Sequence, residues 1–294
     1  MQKIIDSHHH IWNKVDVPWL ADEPKPRIFG PYEAIRRDYL IDELLSDFEG
    51  FNIEKSVYIQ CNWDPSRALE ESAWVQSVAN ANQFPHGIVS YVDLTASDAA
   101  KKIEAQLQYK NVKGIRQQLH WHENPHWSYV TDPVMFNQPA FRKGMDVIEK
   151  HNLAFDLQIF PSQMVAATEF AAAYPNTPMI LNHAGMPEDR SLEGWNLWLN
   201  GMRSLAKSKN VLVKFSGLNT YEHKCDVEKM LPVIQESLSI FGANRCMYGS
   251  NFPIEKLWTN YGTYLNAVIQ CVGNVSSSEF EDIFYNTAKT AYKL

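Results

Sequence analysis

Lys3-Ile4-Ile5-Asp6-Ser7-His8-His9-His10 is a short β-rich run that ends in three histidines. Side chains alternate between the faces of a strand, so Asp6, His8 and His10 are expected on one face and Ser7 and His9 on the other. Two imidazoles at positions i and i+2 can converge on one metal ion or one substrate oxygen. We therefore predict a first strand that ends in a site, with Asp6 accepting an imidazole N–H. The alternatives are an affinity-tag remnant or a surface cluster.

Seven further β-rich runs follow, separated by segments with apolar residues near a 3.6-residue period. The runs after Lys3–His8 are Lys55–Gln60, Gly87–Asp93, Val112–Gln118, Ala154–Ile159, Met179–His183, Val211–Ser216 and Arg245–Gly249. Helical segments include Leu69–Gln83, Pro139–His151, Gln163–Tyr174, Val227–Phe241 and Tyr261–Cys271, and a last helix near Ser278–Tyr292 follows a capping box that begins at Ser276. Alternating strands and helices favour parallel units. The pattern predicts an α/β fold, a (β/α)8 TIM-like barrel with a C-terminal helix.

The chain of 294 residues slightly exceeds the ~250 residues typical of one such barrel, so we predict a single domain over residues 1–294. Two longer segments interrupt the alternation of strands and helices. Asn13–Pro31 has four prolines, and His120–Asn137 is rich in Trp, His and Pro. In a barrel the loops after the strands build the active-site face. Both segments are therefore expected to wall a pocket.

The composition excludes several classes of function. The net charge is −7 and there is no run of Lys or Arg, which disfavours nucleic acid and anionic membranes as partners. No apolar stretch is long enough for a signal peptide or a membrane span, so a cytoplasmic location is expected. The four cysteines form no C-x-x-C pair. A small-molecule substrate fits this composition best, and the oligomeric state stays open.

Arg116 is the candidate cation of the site. In the run Val112–Gln118, alternation places Gly114, Arg116 and Gln118 on one face. If that face is the barrel interior, the guanidinium can bind a carboxylate or polarise a carbonyl group. A structural ion pair on the outer face is the alternative.

Other candidates follow other predicted strands. His183 ends one strand before a glycine turn, although a lone histidine there can equally be a core residue. Asn251 follows the eighth strand. Lys214 in a barrel interior would need a partner such as Asp6 or Asp156. Expected substrate-binding residues are Trp12, Gln118, Trp121, His122 and Gln158, whereas His86, His126, His151 and His223 are interpreted as surface residues. Nucleotide-binding loops and the G-x-S-x-G serine motif are absent from the sequence.

Seven motifs, in order along almost the whole chain, resemble those of the amidohydrolase-related family that includes sugar lactonases and 2-pyrone-4,6-dicarboxylate lactonase. They are Ile5–Trp12, Arg36–Tyr39, Gly114–Arg116, Asn182–Gly185, Lys214–Leu218, Tyr248–Pro253 and Asn286–Ala288. The resemblance implies a TIM-like barrel that hydrolyses a small cyclic ester, generally without a required metal. It also implies that the strand-one histidines and the strand-four arginine bind the substrate and activate its carbonyl. The strand-six histidine is implied to be a further ligand of substrate or metal.

By this resemblance His8, His10, Arg116 and His183 match the family, and Asn251 departs from the aspartate that usually serves as general base. A carboxamide orients water or substrate but cannot accept a proton at neutral pH. We therefore expect His183 to act as the base, with His10 as the second choice. The rate should then rise with pH as an imidazole loses its proton, at about pH 6.5 if its pKa is unperturbed. Arg116 also occupies the stretch where binuclear relatives carry a carboxylated lysine, so two metals are not expected.

Three functions compete at this point. The first is a metal-independent lactonase that acts on a sugar-acid or dicarboxylic-acid lactone. The second is a hydrolase or decarboxylase with one zinc on His8, His10 and His183. The third is a ligand-binding protein that has lost catalysis, which the departure at Asn251 allows.

Overall fold

The structure is a computed structural model that describes residues 2–294. Eight parallel strands form one sheet in sequence order, with each strand hydrogen-bonded to the next. They are β1 Ile4–His9, β2 Ile53–Ile59, β3 Gly87–Ser90, β4 Val112–Ile115, β5 Ala154–Leu157, β6 Met179–Leu181, β7 Val211–Phe215 and β8 Cys246–Tyr248.

The sheet closes on itself at the end of β1. The backbone N–H of His10 donates to the carbonyl oxygen of Phe252 over 2.7 Å, and that of Asn251 donates to the carbonyl oxygen of His8 over 2.7 Å. These bonds join the first strand to the segment after the eighth. The predicted α/β fold with a (β/α)8 barrel is confirmed.

Helices surround the barrel and lie between successive strands. They are α1 Pro18–Ala21, α2 Ile41–Asp47, α3 Ala68–Asn82, α4 Ala99–Gln106, α5 Pro139–Lys150, α6 Pro161–Ala173, α7 Leu192–Leu205, α8 Val227–Phe241, α9 Tyr261–Val272, α10 Ser277–Glu281 and α11 Thr287–Tyr292. A π-helical turn over Asp282–Asn286 joins α10 to α11, and Ser276 caps α10 as the sequence predicted. None of the helices in residues 2–294 is both long and apolar enough to cross a membrane.

A small apolar cluster fills the barrel interior. It contains Ile5, Val57, Val89 and Met247 from the strands, and Tyr292 from α11. The larger core lies between the strands and the surrounding helices. Since α11 supplies side chains to the interior cluster, the end of the chain packs against the barrel itself.

Lys214 and Asp156 form a fully buried ion pair inside the barrel. Lys214 Nζ lies 2.7 Å from Asp156 Oδ2 and also donates to Tyr292 Oη over 2.7 Å, and Tyr292 donates to Asp156 Oδ1 over 2.6 Å. Asp156 is thus one of the two partners that the sequence suggested for Lys214. Three mutual contacts offset part of the desolvation penalty of burying both charges.

Candidate active site

A cavity opens at the carboxyl ends of the strands, where barrel enzymes carry their active sites. Its volume is about 790 Å³ counted out to its open mouth. The two irregular segments of the sequence form its walls. Trp19 and Arg27 come from Asn13–Pro31, and Trp127 and Tyr129 come from His120–Asn137. The predicted site residues that line it are His10, Trp12, Arg116, Gln118, Gln158, His183 and Asn251.

Three imidazoles meet at the base of this cavity. The ring centroid of His8 lies 5.2 Å from that of His10 and 4.9 Å from that of His183. His8 is fully buried and does not itself line the cavity. The residues from β1 and from the end of β6 therefore come together as the alternation of strand faces predicted.

Hydrogen bonds to His10 and His183 indicate which ring nitrogen carries the proton. His10 Nδ1 lies 2.7 Å from the carbonyl oxygen of Ile59. A carbonyl only accepts, so Nδ1 carries the proton and Nε2 of neutral His10 carries the lone pair, with the Asn251 side chain beside the ring. His183 Nδ1 lies 2.9 Å from Ser216 Oγ, a group that either donates or accepts. Both ring nitrogens of His8 are buried without a hydrogen-bond partner.

The backbone at the end of β6 fixes His183 in an uncommon conformation. His183, Ala184, Gly185 and Met186 all have positive φ angles, of 55°, 48°, 74° and 51°. Left-handed backbone costs about 1–2 kcal/mol for each residue other than glycine, so surrounding contacts must hold the turn. One such contact is the bond from the Trp198 indole N–H to the Ala184 carbonyl oxygen, 2.8 Å long.

Burial and neighbouring cations keep these imidazoles neutral. Burial lowers the pKa of His10 to about 3, and the charge of Arg116 adds to the effect. Burial, followed by Arg116 and Lys214, lowers the pKa of His183 well below its ordinary value, and burial with Lys214 does the same for His8. The pKa of each of these rings therefore lies below the ~6.5 of an unperturbed imidazole from which the sequence expectation started, and the pH dependence of activity stays a prediction.

Arg116 lies just past the end of β4 with its side chain inward, the face that the sequence predicted. Its two Nη atoms donate to the Gln60 carbonyl oxygen and to Gln158 Oε1, the latter over 3.2 Å. Its Nε is buried without a partner. Burial lowers the pKa of Arg116, but guanidinium stays charged at physiological pH. The side chain is therefore a fixed, incompletely satisfied donor at the cavity.

Asn251 follows β8 in a left-handed conformation with φ of 56°, which asparagine tolerates better than most residues. Its Nδ2 lies 3.5 Å from Glu255 Oε1. Glu255 is fully buried, its Oε2 has no partner, and burial raises its pKa to about 7. Glu255 was not predicted from the sequence; the available signal was an acidic residue directly after the apolar run Phe252–Ile254.

Asp6 does not share a face with His8, which corrects the sequence prediction. The pairing of β1 with β2 shifts register between Asp6 and His9, and this irregularity breaks the period-two alternation. Asp6 instead accepts from the backbone N–H groups of His8 and Ser250 and from Tyr261 Oη of α9. It accepts no imidazole N–H, so it anchors the end of β1 to the segment after β8.

Two of the predicted substrate-binding residues do not line the cavity. Trp121 is partly buried against the core, and the His122 ring packs against Trp127 and Phe160. The long loop after β4 turns these side chains aside and presents His120 and His126 to the cavity instead. His126 is exposed, as its interpretation as a surface residue predicts, and it also lines the cavity.

A family model of amidohydrolases matches residues 5–294 of the chain. The chain belongs to the amidohydrolase family. This membership makes it a hydrolase and agrees with the resemblance seen in the motifs. Among its relatives is the uncharacterized protein y4mH of Sinorhizobium fredii, 36% identical over 99% of this chain and 98% of the relative.

Two further comparisons bear on this amidohydrolase. An L-fucono-1,5-lactonase of Burkholderia ambifaria is 29% identical over 88% of this chain and 83% of its own length. The crystal structure of a Burkholderia multivorans amidohydrolase with bound zinc has a TM-score of 0.85, with 23% identity and full coverage of both chains. At that identity the structural likeness shows the shared fold.

The zinc in that neighbour raises the question of whether this chain's residues fit a metal ion. The donor types fit, since His8, His10 and His183 are neutral imidazoles. The His8 ring centroid lies 4.9 Å from that of His183 and 5.2 Å from that of His10, and both of its ring nitrogens lack a partner, although no three His, Cys, Asp or Glu side chains of residues 2–294 already surround one point as ligands would. The charge of Arg116 acts against a divalent cation at this place, whereas the charge of Lys214 is compensated by its ion pair with Asp156.

Proposed function

We propose that this amidohydrolase opens a small lactone, a sugar-acid or dicarboxylic-acid lactone, by hydrolysis that requires no metal ion. The observation that carries the proposal is the meeting of a buried guanidinium, Arg116, with the neutral imidazoles of His10 and His183 at one cavity. A cationic donor beside a neutral base suits attack of water on an ester carbonyl. The lactonase among its relatives supports this substrate class.

In the proposed reaction, the lactone carbonyl oxygen accepts hydrogen bonds from Arg116, which stabilises the negative charge that develops there. Water attacks the carbonyl carbon and gives its proton to His183, whose ring is held at Nδ1 by Ser216. The ring C–O bond then breaks, and the leaving oxygen takes that proton from His183. The product is an open hydroxy acid. His10 is the second choice as base, since its unprotonated nitrogen is Nε2.

The remaining predicted residues bind and orient the substrate. His8 and His10 support the base of the cavity, and Asn251 orients the water or the lactone without accepting a proton. Trp12, Gln118 and Gln158 contact the substrate, and the aromatic ring of Trp12 suits the face of a small ring. We assign no role to Trp121 or His122, which lie off the cavity lining.

The test is a screen of aldonolactones and pyrone lactones that follows acid release with a pH indicator. We expect turnover of at least one lactone, abolished by His183→Asn. Binding of lactones without acid release would instead identify a ligand-binding protein. Wild-type turnover in His183→Asn would remove His183 as the base.

A further inference from the structure

The cavity carries two guanidinium groups and no carboxylate. Its lining includes Arg27 and Arg116, and within the described chain no Asp or Glu belongs to it. The whole chain has a net charge of −7, so the charge of the cavity lining is opposite in sign to that of the chain. A cavity of one charge sign attracts a ligand of the opposite sign.

Within residues 2–294, Arg27 makes no ion pair, in contrast to four of the other arginines. Arg36, Arg67 and Arg190 each lie within 3.2 Å of a carboxylate oxygen. Arg27 forms no such pair in the part of the chain that the structure describes, and its Nε is buried without a partner. The half-buried guanidinium of Arg27 therefore has donor capacity that the protein leaves unused, and it lines the cavity.

Aromatic and polar neighbours nevertheless hold Arg27 in place. Its guanidinium carbon lies 5.2 Å from the ring centroid of Trp19 and 5.9 Å from that of Tyr129. Its Nη1 donates to Tyr129 Oη over 2.8 Å, and Asn62 Nδ2 donates to the same oxygen over 3.2 Å. Because Tyr129 Oη accepts twice, its own O–H is left to donate to a ligand.

This cluster is separate from Arg116. Arg27 and Tyr129 come from the loops above the strand ends, whereas Arg116 lies at the end of β4. His120, which also lines the cavity, is influenced by both: burial lowers its pKa to about 3, and the charges of Arg116 and Arg27 contribute. One cation therefore stands where the reacting carbonyl is proposed to bind, and the other stands further out.

We propose that Arg27, Tyr129 and Asn62 form a subsite for a carboxylate, so that the lactone bears an acid group apart from its ring ester. This rests on the proposed lactonase function and narrows it to anionic lactones. A guanidinium fork with an adjacent O–H donor matches the two oxygens of a carboxylate. A neutral sugar lactone would leave the charge of Arg27 without a partner.

The test uses two matched pairs of lactones. Coumalate, a 2-pyrone with one carboxylate, is compared with its methyl ester, and glucarolactone is compared with gluconolactone. We expect kcat/KM to favour the anionic member of at least one pair by about tenfold or more, as one charged hydrogen bond allows. Arg27→Gln should remove most of this preference by raising KM for the anionic member, with a smaller effect on the neutral member.

Arg203→Gln is the matched control, because Arg203 is exposed on α7 and away from the cavity. Equal kcat/KM for both members of each pair, or an equal loss for both in Arg27→Gln, would overturn the carboxylate subsite while leaving the lactonase in place. If no lactone is hydrolysed, the proposed function fails separately. Calorimetric binding of coumalate to wild type and Arg27→Gln then still decides the subsite, since unchanged affinity contradicts it.

Discussion

At Arg116 the planar shape of the guanidinium matters as much as its charge. Two of its nitrogens are held by Gln60 and Gln158, and Nε remains to donate. Lysine keeps the charge but cannot hold both bonds and present a third donor. We expect Arg116→Lys to lose about 2.7–4 kcal/mol of transition-state stabilisation, measured as kcat/KM on the best lactone of the screen.

Arg142→Lys is the control for Arg116→Lys. Arg142 lies on α5, where it donates to Asn137 and lies outside the cavity. Wild-type kcat/KM in Arg116→Lys would mean that Arg116 has a structural role only.

The residue at position 251 determines whether a charge lies beside His10. Replacing Asn251 by aspartate places a carboxylate near a ring whose pKa burial and Arg116 lower to about 3. An opposite charge stabilises the imidazolium, so Asn251→Asp should raise the pKa of His10. The reaction is proposed to use His10 as a neutral ring. In Asn251→Asp, kcat/KM should therefore fall at acidic pH as His10 becomes protonated, whereas wild type should show no such fall above pH ~5.

Asn251→Ala separates this charge effect from loss of the amide. It should lower the rate without adding a limb to the pH profile. Glu255 complicates the aspartate variant, because its Oε1 lies 3.5 Å from the Asn251 amide and two carboxyls there do not ionise together easily. Asn251→Asp combined with Glu255→Gln should show the limb more clearly. A profile identical to wild type in both variants would contradict the placement of Asn251 beside His10.

The elements that carry the site could largely be predicted from the sequence. Alternation located the strands and the inward faces of Arg116 and Gln118, because burial on one side of a strand enforces a period of two. It failed at Asp6, where a register shift breaks the period. It also failed for Trp121 and His122, because a long irregular loop has no periodicity from which to predict where its side chains point.

Glycine at position 217, in the loop after β7, allows His183 to occupy its place. Gly217 has φ of 63°, and a Cβ there would lie 2.5 Å from His183 Nδ1. Gly217→Ala should therefore displace the His183 ring from Ser216 and reduce kcat/KM by at least about tenfold. The measurement is kcat/KM on the best lactone, with the melting temperature to show that the barrel still folds.

The matched control is Gly50→Ala, where φ is 84° and nothing lies within 4 Å of the added carbon. Both variants place alanine in left-handed backbone, which costs about 1–2 kcal/mol. Only Gly217 adds a clash with a site residue. Equal activity in the two variants would show that His183 does not need its present position.

The stability of the whole molecule should reflect its buried carboxyls. Burial raises the pKa of Glu255 from 4.5 to about 7, and its charged neighbours do not include a cation that offsets this burial. The folded state then holds a proton that the unfolded state releases, so this group's contribution to stability is present below pH 4.5 and is lost as pH rises through about 7. The free energy of unfolding of Glu255→Gln, measured relative to wild type, should therefore increase between pH 5 and pH 8 by an amount on the order of 2 kcal/mol.

Denaturant unfolding at the two pH values measures this difference. Glu169→Gln, at an exposed position on α6, is the control, and its difference from wild type should stay constant. A constant difference for Glu255→Gln as well would show that Glu255 is ionised in the folded protein. Its burial next to Asn251 was not predictable from the sequence, because it depends on how the segment after β8 folds back over the barrel.

The claim that the molecule hydrolyses lactones without a metal is tested most directly on chelated enzyme. Protein dialysed against a chelator, with its metal content verified by plasma mass spectrometry, is assayed on the best lactone of the screen before and after addition of zinc. We expect the same kcat/KM in all three preparations, untreated, chelated and zinc-supplemented. Loss of activity on chelation, with recovery on adding zinc, would contradict it and assign His8, His10 and His183 to a metal.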